Sequence, residues 1–432
     1  MKLYSLRSRQ DEENGESGEK VRNVRLSGGV VLLIALVLVV LTAIISFAVA
    51  HKIYSDRLER DSTYKVKFES STDPYIVAKF QDIVDSIEDS FALEYDPDAL
   101  LESAIAAYVE GLGDRFSYYI EPGDYDSYDN YITGTYVGIG VSYTRDESGL
   151  KIEEVFSGTP AESAGLKAGE IITHIGGIGT ADITDEEVQT LLGTAGVTIK
   201  LTVSDGSGSL RDVDVTIALI NKQSVYGVGY EDGVYYIRIS QFDSDTGEEF
   251  KKMLSLAEES GMKALVLDLR TNGGGYAREA AAVSDALLGE GVVAYSEDKY
   301  GNRSDVAESD ANEVTVPVML LVNQNTASAS ELVTGAFRDF HKGTIIGVKT
   351  YGKAIGQISR NYDKDGSGLV ITIATYYTPS GECIHGVGIT PDVTVTLEDE
   401  YARLTPDNIP DGKDAQLDKA LEIVRQQLAE NG

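Results

Sequence analysis

Residues 28–50 read GGVVLLIALVLVVLTAIISFAVA, 23 consecutive positions without a charge. A helix of that length, at 1.5 Å per residue, reaches across the hydrocarbon core of a bilayer. No water-soluble helix of a small domain needs an apolar surface on every side, so this run divides the chain. Residues 1–27 are a short polar tail, 28–50 a membrane anchor and 51–72 a charged stalk, with the remaining residues on one side of the membrane. Ala48-Val49-Ala50 resembles a signal-peptidase site, but the run exceeds the usual apolar region of a signal peptide, and a retained anchor is expected. Lys20, Arg22 and Arg25 flank one end and Lys52, Arg57 and Arg60 the other. Charge therefore leaves the orientation undecided.

The rest of the chain reads as an α/β multidomain protein. Ile76, Phe80, Ile83, Ile87 and Phe91 recur at helical spacing, and a second helix is expected near 98–112, giving a helical region over 73–133. Residues 134–220 change to short β-rich runs (YVGIGVSY, LKIEEVF, EIITHIG, TIKLTV, DVDVTIAL) around two short helical patterns. Over 221–398 strands and helices alternate, and KALVLDLR and PVMLLVNQ are apolar on both faces, as strands of a covered parallel sheet are. An amphipathic helix in 399–432 caps this core or pairs with a second copy of the chain.

Composition narrows the chemistry. Seventy acidic residues against 37 basic ones give a net charge of −33, which repels nucleic-acid phosphates. Cys383 is the single cysteine, so no intrachain disulfide can form. No CxxC, HExxH or Cys/His cluster is present, and neither a metal site nor a cofactor is expected.

Ser328 stands in N325-T-A-S-A-S-E331, between a buried strand and an amphipathic helix. A serine there projects its hydroxyl from the sheet edge, and the following amides, Ala329 first, can hold an oxyanion. Read alone, a serine there is more often a helix N-cap than a nucleophile. Lys353, in T350-Y-G-K-A-I-G-Q357, has glycine and apolar neighbours that suit a desolvated base, although read alone such a residue is more often a surface-turn lysine. None of the four histidines sits in a supporting motif. Gly347–Lys353 satisfies G-x-x-x-x-G-K, but Ala354 follows where a phosphate loop needs Ser or Thr. Asn361–Gly366 reads as a hairpin turn rather than the start of a calcium loop.

Taken together these segments resemble the C-terminal processing peptidases, or tail-specific proteases. The likeness extends over roughly residues 73–395. Ser328, Lys353 twenty-five residues on and Gln357 four further match that family's pattern. The resemblance implies a layered core of the ClpP/crotonase type, Ser328 as nucleophile, Lys353 as general base and Gln357 as the group that orients the lysine. On a straight strand residues 353 and 357 would lie about 13 Å apart, so the Gly352–Gly356 segment, with its two glycines, is expected to curl and bring them together. L267-D-L-R-T-N-G-G-G275 resembles the family's oxyanion turn, implying Gly273 as second donor with Gly274 as alternative. T378-P-S-G-E-C-I-H-G-V-G-I-T-P-D392 matches a further family segment. Residues 134–177 resemble its PDZ domain, in which Gly138-Ile139-Gly140-Val141 would hold a peptide's C-terminal carboxylate. The sequence departs from the pattern at Asn272-Gly273, Ala354, Cys383 and Gly169-Glu170. None of these removes a catalytic atom.

The expected protein is a single-pass serine endopeptidase of the cell membrane, with its peptidase domain outside the cytoplasm, acting on protein C-terminal tails. The rival expectation is an inactive, membrane-tethered PDZ scaffold.

Overall fold

The structure, a computed structural model, describes residues 73–205 and 208–431. The tail, the apolar run 28–50 and the stalk lie outside the described residues. Among the described ones no helix is long and apolar enough to cross a membrane. The chain divides into two compact units between Glu94 and Tyr95.

The first unit contributes α1 (Pro74–Ser90). Asp73 caps it by accepting from Tyr75 N at 2.9 Å, and Pro74 opens the first turn. Ile76, Phe80 and Ile83 form its apolar stripe, and no residue of the helix is buried. The second unit begins with α2 (Pro97–Glu110), capped the same way by Asp96. Next come β1 (Tyr118–Ile120) and α3 (Tyr125–Thr133), which Gly134 ends.

The β-rich region contains β2 (Thr135–Gly138), β3 (Val141–Asp146), β4 (Gly149–Val155), α4 (Pro160–Ser163), β5 (Ile171–Ile175), β6 (Ile178–Gly179), α5 (Asp185–Leu191), β7 (Thr198–Ser204), β8 (Leu210–Thr216) and β9 (Ala218–Asn221). An antiparallel sheet runs β3-β4-β5-β7-β8, and Leu150, Ile152, Ile172, Ile175 and Leu201 fill its core. Thr184 and Glu187 form a reciprocal capping box on α5. The single run expected at YVGIGVSY breaks at Gly138–Gly140 into two strands of different sheets. β2 leaves the main sheet and pairs with β9, Thr135 opposite Asn221, as a two-stranded root.

The remaining elements are β10 (Val225–Gly229), β11 (Val234–Ile239), α6 (Thr246–Glu259), β12 (Ala264–Asp268), α7 (Ala277–Leu287), β13 (Gly291–Asp298), β14 (Arg303–Ser309), β15 (Val318–Val322), α8 (Ala329–Asp339), β16 (Gly343–Gly347), β17 (Ile355–Tyr362), β18 (Ser367–Tyr377), β19 (Val393–Thr394) and α9 (Ala415–Asn431). The central sheet has the order β10-β11-β12-β15-β16-β19, parallel apart from β10. Every residue of β12 and β15 is buried, which explains their unbroken apolar sequences. Phe250, Val283, Leu287, Val333 and Phe337 of α6–α8 pack on one face. Ala420, Leu421 and Val424 of α9 pack with Val266, Met319 and Leu321 on the other, so the C-terminal helix caps its own core. Arg270 fastens this layer: buried just after β12, it binds Asp268 and holds Asp414, ahead of α9, with two bonds of 2.7 and 2.8 Å. A second sheet, β1-β18-β13-β14, carries β17 on β18. The β17–β18 turn is the hairpin expected at Asn361–Gly366, with Asp365 accepting from Ser367 N.

Candidate active site

Ser328 lies where β15 hands over to α8. The preceding loop and the first turn of α8 are knitted to the turn after β12: Asn323 Oδ1 accepts from Thr271 N at 2.9 Å, Thr326 Oγ1 donates to Leu269 O at 2.8 Å, and Ser330 Oγ donates to Asn272 O at 3.0 Å. Ser328 has φ 56° and ψ −119°. Among the described residues only Thr271, Ser328 and His341 are non-glycines with positive φ, and two of the three belong to this pair of turns. Such a conformation costs about 1–3 kcal/mol and persists only where its surroundings enforce it. Gly274 allows the approach, since a Cβ there would sit 2.7 Å from Ser328 Cβ. The Gly274 amide donates to Asn272 Oδ1 at 2.9 Å. Among the described residues no hydrogen bond occupies the amides of Gly273 or Ala329. Of the two glycines weighed from the sequence, Gly273 is the one with a free donor.

Lys353 follows β16 in an irregular loop and is partly buried, with Nζ 4.7 Å from the centroid of the Phe116 ring. Burial holds its pKa below the ordinary lysine value; Asp114 pulls it back up and Arg115 adds to the lowering. Among the described residues no carboxylate forms a salt bridge with Nζ. Ala354 avoids positive φ, as the sequence requires of a non-glycine there, and is 1% exposed.

Glu331 joins these two segments. It is fully buried in the first turn of α8. Its Oε1 accepts from Thr350 Oγ1 at 2.6 Å and Gly352 N at 2.8 Å, and its Oε2 from Lys353 N at 2.7 Å and Ser328 N at 3.1 Å. One carboxylate thus fixes the backbone at both Ser328 and Lys353.

Gln357 departs from expectation. β17 already pairs with β18 from Ile355, with a register shift at Gly356/Gln357. The Gln357 amide donates to Thr372 Oγ1 at 3.1 Å and to Ile355 O at 3.4 Å, and no bond joins it to Lys353. Pairing with β18 wins over the curl because each strand residue gains ladder bonds. Thr372 Oγ1 in turn donates to Asp114 at 2.6 Å, which also accepts from Ser117 Oγ and Phe116 N. Burial pushes the Asp114 carboxyl up, and these hydrogen bonds outweigh it and hold the pKa below the ordinary range.

Ser328, Lys353, Gln357, Gly273 and Ala329 line one cavity of about 820 Å³, with Phe116, Tyr128 and Tyr376 also in its wall. In the β-rich region, Gly138-Ile139-Gly140-Val141 spans the break between β2 and β3. Ile139 is buried in the core, and the carbonyls of Ile139 and Gly140 accept from Ala161 N and Phe156 N. Strand β3 is the sheet's edge, so its outer side is open to an added strand. Val188 of α5 is core, and Leu191 and Leu192 pack beside it.

Residues 233–395 match the model of peptidase family S41, and residues 129–204 that of the PDZ domain. A probable CtpA-like serine protease of Staphylococcus aureus (strain N315) is 32% identical over 336 residues, which cover 77% of this chain and 67% of that protein. The carboxy-terminal processing protease CtpA of Bacillus subtilis (strain 168) is 30% identical over 328 residues, covering 76% and 70%. This chain belongs to the S41 family of C-terminal processing serine proteases. Among solved structures, the photosystem II D1 C-terminal processing protease aligns at 27% identity with a TM-score of 0.44, over 77% of this chain and 88% of that one.

Two features of this protease escaped the sequence. Glu331 drew no role there, and three of its four partners lie 19 to 22 positions away. Asp114 reads as a helix stop. The signal that could have found Glu331 was its place in an apolar helix face, where an unpaired carboxylate is costly.

Proposed function

We propose that this protease is a membrane-anchored endopeptidase that cleaves proteins near their C-termini through Ser328 and Lys353, with tails received by its PDZ domain. The observation that carries the reading is the joint fixation of both segments by Glu331 beside two unoccupied amides. Neutral Lys353 takes the proton of Ser328 Oγ as the oxygen attacks the scissile carbonyl carbon. The resulting oxyanion receives hydrogen bonds from Gly273 and Ala329. Collapse breaks the C–N bond, and Lys353 returns the proton to the departing amine. A water, deprotonated by the same lysine, then hydrolyses the acyl-enzyme. Gln357 acts through Thr372 and Asp114, beneath the lysine, rather than by touching it.

The tail's carboxylate meets the amides of Gly138–Val141, and its backbone extends the sheet at β3. The apolar run 28–50 supports the anchor and, with family membership, an extracytoplasmic peptidase domain. Digestion of the PDZ region by protease added to intact spheroplasts tests that placement. Exposed Phe80 and Ile83 on α1, and Leu101 and Tyr108 on α2, support a homodimer; light scattering of the detergent-solubilised chain tests it.

Separate Ser328→Ala and Lys353→Ala variants test the chemistry on an unstructured peptide tail. Each is expected to lose cleavage while still binding the tail. Normal turnover by either variant would sink the assignment, and wild-type protein that binds tails but never cuts them would make the chain a scaffold.

A further inference from the structure

Asp243 is 7% exposed, and its Oδ1 has no hydrogen-bond partner among the described residues. A buried carboxylate left in that state needs a reason. It lies in the connection between β11 and α6, and its side chain presses on Gly134, the residue that ends α3 and begins the path into the PDZ domain. A Cβ on Gly134 would stand 2.1 Å from Asp243 Cγ. Gly134 has φ 72°, and its carbonyl accepts from Lys222 N at 2.8 Å, where the chain returns from the PDZ root.

The neighbours of Asp243 repeat the pattern in two directions. Toward α3, Gln241 Nε2 donates to Tyr131 O at 3.1 Å, and Ser244 donates to Thr133 O from both its amide and its hydroxyl. Toward the catalytic centre, Phe242 is fully buried; its amide donates to Gly274 O and its carbonyl accepts from Tyr276 N, both at 2.8 Å. Gly275 packs so closely that a Cβ there would sit 2.2 Å from Phe242 O. Four consecutive residues therefore hold the C-terminal end of α3 with three side chains and the 273–275 turn with the backbone of the fourth.

We infer that residues 241–244 form a bracket that sets the oxyanion turn against the root of the PDZ domain, with Asp243, wedged on Gly134, as its positioning residue. The inference rests on the reading of the Gly273 amide as an oxyanion donor. Any displacement at Gly134 passes through Asp243 to Phe242 and so to the turn that presents this amide. Burial pushes the Asp243 carboxyl up to about 6, with Lys222 opposing and Glu249 and Asp245 adding to the shift.

The test uses the full-length protein in detergent and a fluorogenic pentapeptide amide, which has no free carboxylate for the PDZ loop. Gly134→Ala forces the bracket away from the hinge. Its kcat is expected to fall on the order of ten- to a hundred-fold, as for a misplacement of about 1 Å at a catalytic group, with KM unchanged. Gly134→Ala combined with Asp243→Gly removes the clash, since Asp243 Cβ itself would lie 2.5 Å from the new methyl, and is expected to recover most of kcat. A folded Gly134→Ala enzyme with normal kcat overturns the inference. So does a double variant no better than the single one, because the loss then comes from backbone strain at residue 134. A loss shared equally by KM and kcat also overturns it. Should Gly134→Ala not fold, Asp243→Gly loosens the same contact, and an unchanged kcat there is equally fatal. Ser328→Ala measured in parallel separates the cases: residual activity in that variant overturns the reading of the site itself, not of the bracket.

Discussion

At the candidate active site four donors converge on one buried carboxylate, Glu331, whereas at the edge of the PDZ domain the charges that meet, Arg145 and Asp185, keep 38% and 64% of their side-chain surface in water. The two regions belong to one compact unit but face different demands. Acyl transfer needs the nucleophile, base and oxyanion donors held to a fraction of an ångström, and a buried polar hub with every bond made can do that. A domain that admits many tails needs a free strand edge, and fixing β3 by buried charges would close it. Its stability comes instead from the apolar cluster behind the sheet.

The largest break in this comparison comes from the lysine. Burial lowers the Lys353 pKa, so the folded chain binds fewer protons than the unfolded one between the depressed and ordinary values. Stability therefore rises with pH across that window, and the full penalty is present below it. Lys353→Met is expected to lose about 10²–10⁴-fold in kcat without losing thermal stability at neutral pH. A clear drop in Tm would mean that the lysine is structural. For the wild type the same depressed pKa makes kcat/KM increase as pH rises through it. A profile that falls from neutral to mildly alkaline pH, with the protein folded, contradicts a lysine base.

Glu331→Gln comes next. The new amide presents N–H groups to one pair of donors, which leaves buried donors unmet at about 1–3 kcal/mol each. Both Ser328 and Lys353 lose their shared anchor, and kcat is expected to fall about 10²-fold, together with a lower Tm. A variant that melts earlier but keeps its kcat would reduce Glu331 to a stabilising cap. Asp114→Asn has a smaller and more specific effect. Asp114 is the charge that raises the Lys353 pKa, so its neutralisation lowers that pKa further. The rising limb of the pH–rate profile is expected to move to lower pH, with only a modest loss at the plateau. A limb that stays in place would show that the carboxylate does not act on the lysine.

What the sequence disclosed follows the same divide between local and distant causes. Strands β12 and β15 were legible because burial on both faces leaves an unbroken apolar run, and α1 and α2 because their apolar spacing is local. Ser328, Lys353 and Gly273 gained meaning only from their joint spacing, since each alone fits a turn or a cap. Gln357 was placed in the right segment with the wrong partner: strand pairing with β18 is a long-range fact, and it turns the amide toward Thr372. Glu331 and Asp114 were hidden for the same reason: the decisive partners come from far along the chain, Thr350, Gly352 and Lys353 for Glu331 and Thr372 of β18 for Asp114. The break of YVGIGVSY into β2 and β3 depended on β9, some eighty residues later.

The smallest effect is expected where charge is exposed. Arg145 Nη2 lies 2.7 Å from Asp185 Oδ1, which also accepts from the Tyr143 hydroxyl at 3.0 Å. Asp185 stands in the first turn of α5, where the helix dipole already favours a carboxylate. Water and salt screen the pair, and holding two side chains in one geometry costs entropy. Arg145→Ala should therefore leave the melting curve and the turnover of an amidated pentapeptide where they were, in contrast to Glu331→Gln. Only the affinity for charged tails, measured by titration at low salt, should respond, and that response should fade as salt is added. If Arg145→Ala instead lowered Tm by as much as Glu331→Gln, the PDZ edge would be braced by charge as firmly as the catalytic centre. An edge braced in that way could not open to a peptide strand without losing the same stabilisation, and tail capture at β3 would have to be abandoned.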